Sequence, residues 1–254
     1  MLRLAGNGAK LLPYTLLAMT SPSLTIVIPL HNEAGFVSRA VGRLDEDFTG
    51  LDFLLYLVEN GSVDGTAVEA ESLAGRYPWL RVLHLPAADY GAALREGLRR
   101  ADTDWAVAFD IDYFSRRFVD DVIERSGEAD IILASKRDPD AEDRRGLLRR
   151  LGTKVFNLLL RSLFGSGVTD THGMKAISRK VLDDVLPDVK STQDLFDTEL
   201  VLRAERAGYR IAEVPAVVEE LRPARSSYLK RVPRTLGGLV RLRRLLGKRK
   251  TVDS

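Results

Sequence analysis

Cysteine is absent from the 254 residues of this chain, and histidine occurs only at His31, His84 and His172. Without cysteine, the chain forms no disulfide scaffold, no thiolate zinc site, no iron–sulfur cluster and no cysteine nucleophile. Three histidines spread along the sequence also disfavour an all-histidine metal site. We therefore expect any metal to be a hard ion held by oxygen ligands.

Long hydrophobic runs are missing as well, since no stretch reaches 18 apolar residues, so we expect no membrane-spanning helix. The apolar run at 11–19 follows two basic residues and has the outline of a signal peptide. Pro13 interrupts this run, and a buried-strand pattern begins at Leu24. These two features favour an N-terminal extension over 1–22 rather than a cleaved signal.

Charge is almost balanced over the whole chain, with 38 basic and 36 acidic residues, but it is unevenly placed. The tail from Arg222 onward holds 11 basic residues and one acidic residue, which leaves 27 basic and 35 acidic residues before it. Such a basic tail predicts contact with an anionic partner such as a membrane or a phosphorylated lipid. Because the tail has few aromatic residues, we expect no nucleic acid partner.

Strand and helix patterns alternate through the first 135 residues. Short apolar, β-branched runs such as LTIVIPL are typical of buried parallel strands. This alternation predicts a doubly wound α/β fold with a mostly parallel sheet and helices on both faces. The predicted strands are 24–30, 53–58, 81–85, 105–109 and 131–134, and the helices between them are 33–44, 66–76, 90–101 and 118–125.

The remaining residues predict a more mixed arrangement. We expect helices at 149–164 and 195–207, and strands at 173–177 and 211–218. The tail over 228–246 predicts one or two amphipathic helices, interrupted by Pro233 and a Gly-Gly pair. Such a helix is typical of a segment lying on a membrane, and equally of a surface helix packed on its own domain. Both alternatives remain open from the sequence.

Two aspartates, Asp110 and Asp112, follow the fourth predicted strand. Ligands of open α/β sheets bind beyond the carboxyl ends of the strands, where these side chains lie. Mg²⁺ and Mn²⁺ are commonly held by one or two carboxylates together with waters and substrate phosphates. The pair therefore predicts a metal site that neutralises a diphosphate leaving group. The alternative is that Asp112 caps the next helix and Asp110 is solvated.

The segment NGSVDGT at 60–66 predicts a tight turn from the second strand into the second helix, with Asp64 or Ser62 as the helix cap. It matches neither the GxxxxGK(S/T) phosphate loop nor the GxGxxG dinucleotide motif. A turn this short leaves Glu59 and Asn60 projecting at the end of the sheet. There they could recognise a planar base through its polar groups.

Six motifs occur in order along the chain: VIPLHNEAGF, VENGSVDGT, YGAALREGLRRA, FDID, DTHGMKAISR and FDTELVLRAERAGYRIAEVP. Together they resemble a family 2 glycosyltransferase of the GT-A fold, in the branch that contains the dolichyl- and polyprenyl-phosphate mannose and glucose synthases. The resemblance extends over 23–218. It implies a single GT-A catalytic domain at 23–221, followed by the basic amphipathic tail at 222–254.

The resemblance also implies roles for individual residues. A nucleotide pocket would be lined by Pro29, His31, Asn32, Glu33, Glu59, Asn60, Asp64, Tyr90 and Gly91, with Asp110 beside the diphosphate. Asp110 and Asp112 would hold the metal, and Lys136 would lie near the acceptor phosphate. Asp170, Thr171 and Gly173 would lie at the acceptor end of the cleft, with Asp197 and Glu199 in the motif that follows. Arg222 would begin a segment that closes over the diphosphate.

Several positions depart from the pattern of that branch. Asn60 replaces an aspartate that accepts the base N–H, which weakens any inference about the base. Phe114 replaces a further polar neighbour of the metal, and Arg225 and Tyr228 replace a glycine and a lysine of the closing segment. The QxxRW motif of processive polysaccharide synthases is absent from the chain, which argues against polymer synthesis.

The implied activity is an inverting, metal-dependent transfer of mannose or glucose from a GDP- or UDP-sugar to polyprenyl phosphate. The enzyme would be peripheral to the cytoplasmic face of the membrane. A phosphate acceptor needs no general base, because its second pKa is about 6. If the acceptor were a soluble hydroxyl compound, Asp197 or Glu199 would become the leading base. A non-catalytic membrane-binding module on the same scaffold is a third hypothesis.

Overall fold

The computed structural model describes residues 23–135, 142–143, 147–168, 171, 173–218 and 228–247. The N-terminal extension predicted at 1–22 lies outside these residues. Within the described part of the chain, no helix combines the length and the apolar character that crossing a bilayer requires.

A seven-stranded sheet forms the centre of the molecule, in the order β3-β2-β1-β4-β7-β5-β8. Six of these strands run parallel, and β7 runs antiparallel to both of its neighbours. The strands are β1 (Leu24–Leu30), β2 (Phe53–Asn60), β3 (Leu80–Leu85), β4 (Trp105–Ala108), β5 (Ile131–Ser135), β6 (Glu142–Asp143), β7 (Lys175–Ser178), β8 (Ile211–Pro215) and β9 (Val217–Val218). Strands β6 and β9 pair with each other in a small second sheet.

Helices cover both faces of the large sheet. They are α1 (Val37–Asp47), α2 (Thr66–Ala74), α3 (Tyr90–Arg100), α4 (Arg116–Arg125), α5 (Leu147–Phe164), α6 (Arg179–Asp184), α7 (Phe196–Arg206) and α8 (Tyr228–Leu246). Two apolar cores result, one on each face. Helix α3 lies especially close to the sheet, because a Cβ atom on Gly97 would be only 2.3 Å from Cγ1 of Val27.

The α/β alternation predicted from the sequence is confirmed, with differences at four places. Helix α1 begins at Val37 rather than 33, because residues 33–36 form a turn closed by a hydrogen bond from Phe36 N to Glu33 O. Strand β7 is antiparallel, and the strand predicted at 211–218 is divided into β8 and β9. Helix α8 is continuous through Pro233 and the Gly-Gly pair, where one or two interrupted helices were expected.

The strand order reverses between β1 and β4, and at such a switch point a crevice is expected beyond the carboxyl ends of the strands. Pairing of β1 with β4 ends at Val27 opposite Ala108, whereas pairing with β2 continues to Leu30 opposite Glu59. Pro29 lies in the part of β1 that pairs only with β2, a position that tolerates the missing N–H. Such a switch point is where open α/β sheets bind their ligands.

Candidate active site

The acidic motif occupies a tight turn at the carboxyl end of β4. Phe109 N donates to Val27 O, and Tyr113 N donates to Asp110 O at 3.0 Å, so the chain reverses around Asp112. The cap of α4 is Ser115, whose hydroxyl accepts from Phe118 N at 3.2 Å. The alternative in which Asp112 caps this helix is therefore wrong, and both aspartates lie beside the crevice.

Asp110 is surrounded by charged and polar side chains. Its Oδ1 accepts a hydrogen bond from the hydroxyl of Tyr90 at 3.2 Å. Burial raises the pKa of Asp110, and the nearby carboxylates of Asp112 and Asp197 raise it further, while the ammonium of Lys175 opposes them. A divalent cation at this point would relieve the repulsion among the three acids.

The donor set fits a hard cation that takes part of its coordination from substrate. Among the described residues, no group of three His, Asp or Glu side chains is arranged to hold a metal by itself. Asp110 and Asp112 supply carboxylate oxygens only, which Mg²⁺ and Mn²⁺ accept together with waters and phosphate oxygens. The pair is thus suited to a metal–diphosphate complex rather than to a closed structural metal site.

A buried ion pair lies on the β7 side of this motif. In the antiparallel register Lys175 is opposite Ala108, two residues before Asp110. Lys175 Nζ lies 3.2 Å from Oδ1 of Asp197 and donates to Gly173 O at 2.8 Å. The two residues are only 1% and 3% exposed. The charge of Lys175 is thus balanced inside the protein by the carboxylate of Asp197.

Glu199 is fully buried, at 0% exposure, two residues after Asp197 in the first turn of α7. Its carboxylate accepts from the backbone N–H groups of Lys190 and Ser191, at 3.1 and 2.6 Å, and from Arg203 Nε at 2.7 Å. Burial acts to raise the pKa of Glu199, but the bonds from Ser191, Arg203 and Lys190 outweigh it and lower the pKa. Glu199 therefore holds the preceding loop in place, and its expected catalytic role stays a prediction.

The side chains predicted to project from the end of β2 are folded back instead. Glu59 is 5% exposed and accepts from Ser62 N at 2.5 Å. Asn60 is 4% exposed, and its Oδ1 accepts from Asp89 N at 2.6 Å. The two side chains are folded back rather than projecting, because the backbone N–H groups of Ser62 and Asp89 take up their oxygens, and their expected contact with a base stays a prediction. They fix the shape of the turn at 60–65.

The loop after β1 is joined to that turn by hydrogen bonds. Asn32 adopts a left-handed conformation with φ 55°, and its Oδ1 accepts from Val63 N at 3.0 Å. Asn32 N in turn donates to the hydroxyl of Ser62 at 3.0 Å. His31 Nδ1 lies 3.0 Å from Asn60 O. The two loops that carry most of the predicted nucleotide-binding residues are therefore joined by hydrogen bonds.

Asp64 and Glu33 strengthen the same connection. Asp64 accepts from Thr66 N and from Ala34 N, both at 3.1 Å, and these bonds, with that from the Thr66 hydroxyl the largest, lower its pKa. Glu33 N donates to the Thr66 hydroxyl at 2.7 Å. The N-cap position itself belongs to Gly65, with φ +92°, so Asp64 braces the turn without occupying the predicted cap.

Gly91 has a packing role beside the site. A Cβ atom there would lie 2.6 Å from Gln193 N and 2.8 Å from Phe196 Cβ. Its expected contact with a nucleotide stays a prediction, but only glycine allows α3 to approach the chain before α7 this closely. Three predicted site residues lie outside the described part of the chain: Lys136, Asp170 and Arg222.

Comparison with known proteins identifies the family. The model of glycosyl transferase family 2 matches residues 25–186, well over half of the chain. The chain belongs to this family. The predicted membership is thus confirmed, and the protein is a glycosyltransferase by family.

Among curated relatives of this glycosyltransferase, AglD of Haloferax volcanii is 32% identical over 201 residues, which cover 76% of this chain and 32% of AglD. The undecaprenyl-phosphate mannosyltransferase of Micrococcus luteus is 29% identical, covering 76% of this chain and 82% of the relative. The chain therefore spans about a third of the length of AglD.

Two solved structures share the fold of this glycosyltransferase. Glucosyl-3-phosphoglycerate synthase of Mycobacterium tuberculosis, in complex with Mn²⁺, UDP and phosphoglyceric acid, aligns with a TM-score of 0.68 and 19% identity, covering 91% of this chain and 80% of that one. The mannosyltransferase PcManGT of Pyrobaculum calidifontis, in complex with GDP-mannose and Mn²⁺, aligns with a TM-score of 0.60 and 20% identity, covering 85% and 61%. The predicted GT-A fold is confirmed.

Sequence reasoning overlooked two residues of this family 2 glycosyltransferase. Asp89 caps α3, and an aspartate directly before a helical pattern is a recognised signal for that role. His84 lies one residue before the end of β3, and its Nδ1 is 3.4 Å from Oε2 of Glu59. Its place near the carboxyl end of a strand is the same signal that pointed to Asp110.

Proposed function

We propose that this glycosyltransferase transfers mannose or glucose, with inversion, from a GDP- or UDP-sugar to a polyprenyl phosphate. The reaction uses Mg²⁺ or Mn²⁺ and takes place at the cytoplasmic face of a membrane. The nucleotide binds along the crevice between β1 and β4, against the connected loops at 31–34 and 60–65. The diphosphate lies at Asp110 and Asp112.

Support for the donor and the metal comes from two sources. The acidic pair offers oxygen ligands at the ligand-binding edge of the sheet. Two structural neighbours are complexes with Mn²⁺ together with UDP or GDP-mannose. The ion, when bound, would neutralise charge on the departing nucleoside diphosphate. Tyr90 holds one oxygen of Asp110 in place through its hydroxyl.

The observation that carries the acceptor assignment is the engagement of both acids of α7. Asp197 is paired with Lys175, and Glu199 is fully buried among hydrogen-bond donors. Glu199 is therefore not free to serve as the general base that a hydroxyl acceptor requires, and Asp197 faces the ammonium group of Lys175 and is only 3% exposed. A phosphate monoester is already largely a dianion at pH 7 and attacks without such a base.

In the proposed reaction an oxygen of the acceptor phosphate forms a bond to the anomeric carbon. The bond from that carbon to the diphosphate oxygen breaks, and the nucleoside diphosphate leaves with the electron pair. Lys136 and Arg222 are proposed to bring the acceptor and donor anions together. The name of the Micrococcus relative specifies undecaprenyl phosphate, which is the same class of acceptor.

Helix α8 is proposed to hold the enzyme on the membrane. Its buried side, at Leu239 and Leu242, packs in an apolar cluster with residues of α5 and α7. The opposite side exposes Val240 and Leu245, at 51% and 53%, near exposed arginines. The two alternatives for this helix are thus compatible, since one side packs on the domain while the other is available to lipid.

A direct test supplies radiolabelled GDP-mannose and UDP-glucose, with Mn²⁺, to undecaprenyl phosphate and in parallel to undecaprenol. We expect labelled product from the phosphate and none from the alcohol. Asp112→Asn should abolish transfer, whereas Asp45→Asn, an exposed aspartate of α1, should leave it unchanged.

The acids of α7 give a second readout in the same assay. Asp197→Asn and Glu199→Gln should each lower the rate of transfer by less than about 10⁴-fold. Removal of an essential acid–base group, as in a catalytic triad, lowers the rate by about 10⁴-fold. Transfer to the alcohol, together with a loss that large in Asp197→Asn, would contradict the phosphate acceptor and favour a hydroxyl compound.

A further inference from the structure

Asp89 connects two parts of the molecule that are distant in sequence. Its Oδ1 accepts from Ala92 N at 2.9 Å, which caps α3, and also from Gln193 N at 2.9 Å. Its own backbone N–H donates to Oδ1 of Asn60 at 2.6 Å. The next residue, Tyr90, donates to Asp110. One residue thus touches the turn after β2, the start of α3 and the chain that precedes α7.

The chain at 189–193, here called the α7 approach, is held against α3 at several points. Arg95 Nη1 donates to Val189 O at 2.6 Å, and Nη2 donates to Ser191 O at 2.8 Å. Gln193 has a φ of +50°, a conformation that costs energy for a residue other than glycine. It persists because Asp89 and the close contact at Gly91 fix its backbone.

The α7 approach leads into α7, whose Asp197 pairs with Lys175 of β7. Asn60 ends β2 on one side of β4, and Lys175 begins β7 on the other side. In an inverting transfer the acceptor and the leaving diphosphate lie on opposite sides of the anomeric carbon. If the nucleotide occupies the β1 and β2 side, the acceptor approaches from the side of β7 and α7.

We propose that Asp89 is a positioning residue that sets the acceptor side of the site through its bond to Gln193. This proposal rests on the proposed function, since it assumes sugar transfer between the two sides. The side-chain carboxylate acts on the α7 approach and on the cap of α3, whereas the bond to Asn60 uses the backbone N–H. Removing the carboxylate should therefore affect acceptor use and spare nucleotide binding.

Asp89→Ser is the decisive variant. Serine is also a good N-cap, so its hydroxyl keeps the cap of α3, but it is too short to serve Gln193 as well. We expect an approximately tenfold rise in KM for undecaprenyl phosphate, the size of effect associated with loss of a hydrogen bond to a charged group. The dissociation constant of GDP or UDP with Mn²⁺, from calorimetric titration, should stay within about twofold. Asp89→Asn keeps an oxygen acceptor and should restore most of the acceptor KM.

A second variant reaches the same segment from its other end. Arg95→Met removes the bonds to Val189 and Ser191 and should also raise the acceptor KM while sparing nucleotide affinity. Arg99→Met is its control, because Arg99 lies on the exposed face of α3 and pairs with Glu96.

Two outcomes would overturn the role of Asp89. One is an unchanged acceptor KM in Asp89→Ser and Arg95→Met; the other is a parallel loss of nucleotide affinity and melting temperature in both. If the wild-type enzyme binds a nucleotide but transfers no sugar to the phosphate, the proposed function fails instead, independently of these variants.

Discussion

At the scale of single residues, His84 is expected to make the stability of the protein depend on pH. Its Nε2 lies 2.6 Å from Oε1 of Glu71, and its Nδ1 lies 3.4 Å from Oε2 of Glu59. The bond to Glu71 contributes most to raising the pKa of His84 above its ordinary value of 6.5; burial opposes it, and Glu59 adds a smaller contribution. The protonated ring, which donates from both nitrogens, suits this position between two carboxylates.

We predict a specific pH dependence from this raised pKa. Below pH 6.5 the imidazole is protonated in the folded and the unfolded chain, so its full contribution is present. The contribution is lost as the pH rises through the folded-state pKa. Because the side chain is 45% exposed, the loss should stay under about 1 kcal/mol. Urea unfolding should be measured for wild type and His84→Asn at a series of pH values above 6.5. The free energy of unfolding should fall with rising pH more steeply in the wild type than in the variant. Identical slopes would contradict the prediction.

At the scale of elements, the contact between α8 and the chain before α7 depends on one glycine of an adjacent pair. A Cβ atom at Gly238 would lie 2.2 Å from Cδ1 of Leu195, whereas at Gly237 it would meet nothing within 4 Å. Alanine at position 237 should stabilise the helix by up to about 1 kcal/mol through its higher propensity. Alanine at position 238 must displace Leu195, which is 8% exposed, and should cost about 1–3 kcal/mol through overpacking.

Chemical denaturation of the two single variants checks this pair directly. Each variant changes the same residue type in the same helix, so the difference between them isolates the contact with Leu195. If both variants gained stability equally, α8 would not pack on the start of α7 as described.

The strands and helix α8 differ in how far the sequence predicts them. The buried strands are predictable because β-branched apolar runs are needed in a sheet covered on both faces. The direction of β7 is not, because local residue patterns carry no information on which neighbour a strand pairs with. Helix α8 was expected to break at its glycines, but its packing against Leu195 supplies a tertiary contact that outweighs local propensity.

The candidate site divides in a similar way. Asp110 and Asp112 were predictable, because their position follows from where a strand ends. The engagement of Glu199 was not, since the N–H groups of Lys190 and Ser191 are brought to it by the fold of the chain before α7. The engagement of Glu59 was missed, although its partner Ser62 N lies only three residues later in the chain. The pairing of Lys175 with Asp197 was not predictable either, because it is set by packing between β7 and α7.

At the scale of the whole molecule, the acidic body and basic tail predict salt-sensitive attachment to anionic lipid. The outward side of α8 carries exposed Arg241 and Arg244 beside exposed Val240 and Leu245. Each cation near an anionic bilayer contributes about 1 kcal/mol, and this attraction is screened by added salt. The exposed apolar residues contribute a part that salt does not weaken.

We therefore expect the full chain to cosediment with vesicles rich in phosphatidylglycerol at low salt and to dissociate substantially near 1 M salt, where screening extends only about 3 Å. Replacing Arg241 and Arg244 together by glutamine should weaken low-salt binding about thirtyfold, the equivalent of roughly 2 kcal/mol. The matched replacement of Arg99 and Arg100, both exposed on α3, should have little effect because Glu96 already pairs with them. Equal binding of both double variants, or equal binding to zwitterionic vesicles, would show that α8 does not present its cations to lipid.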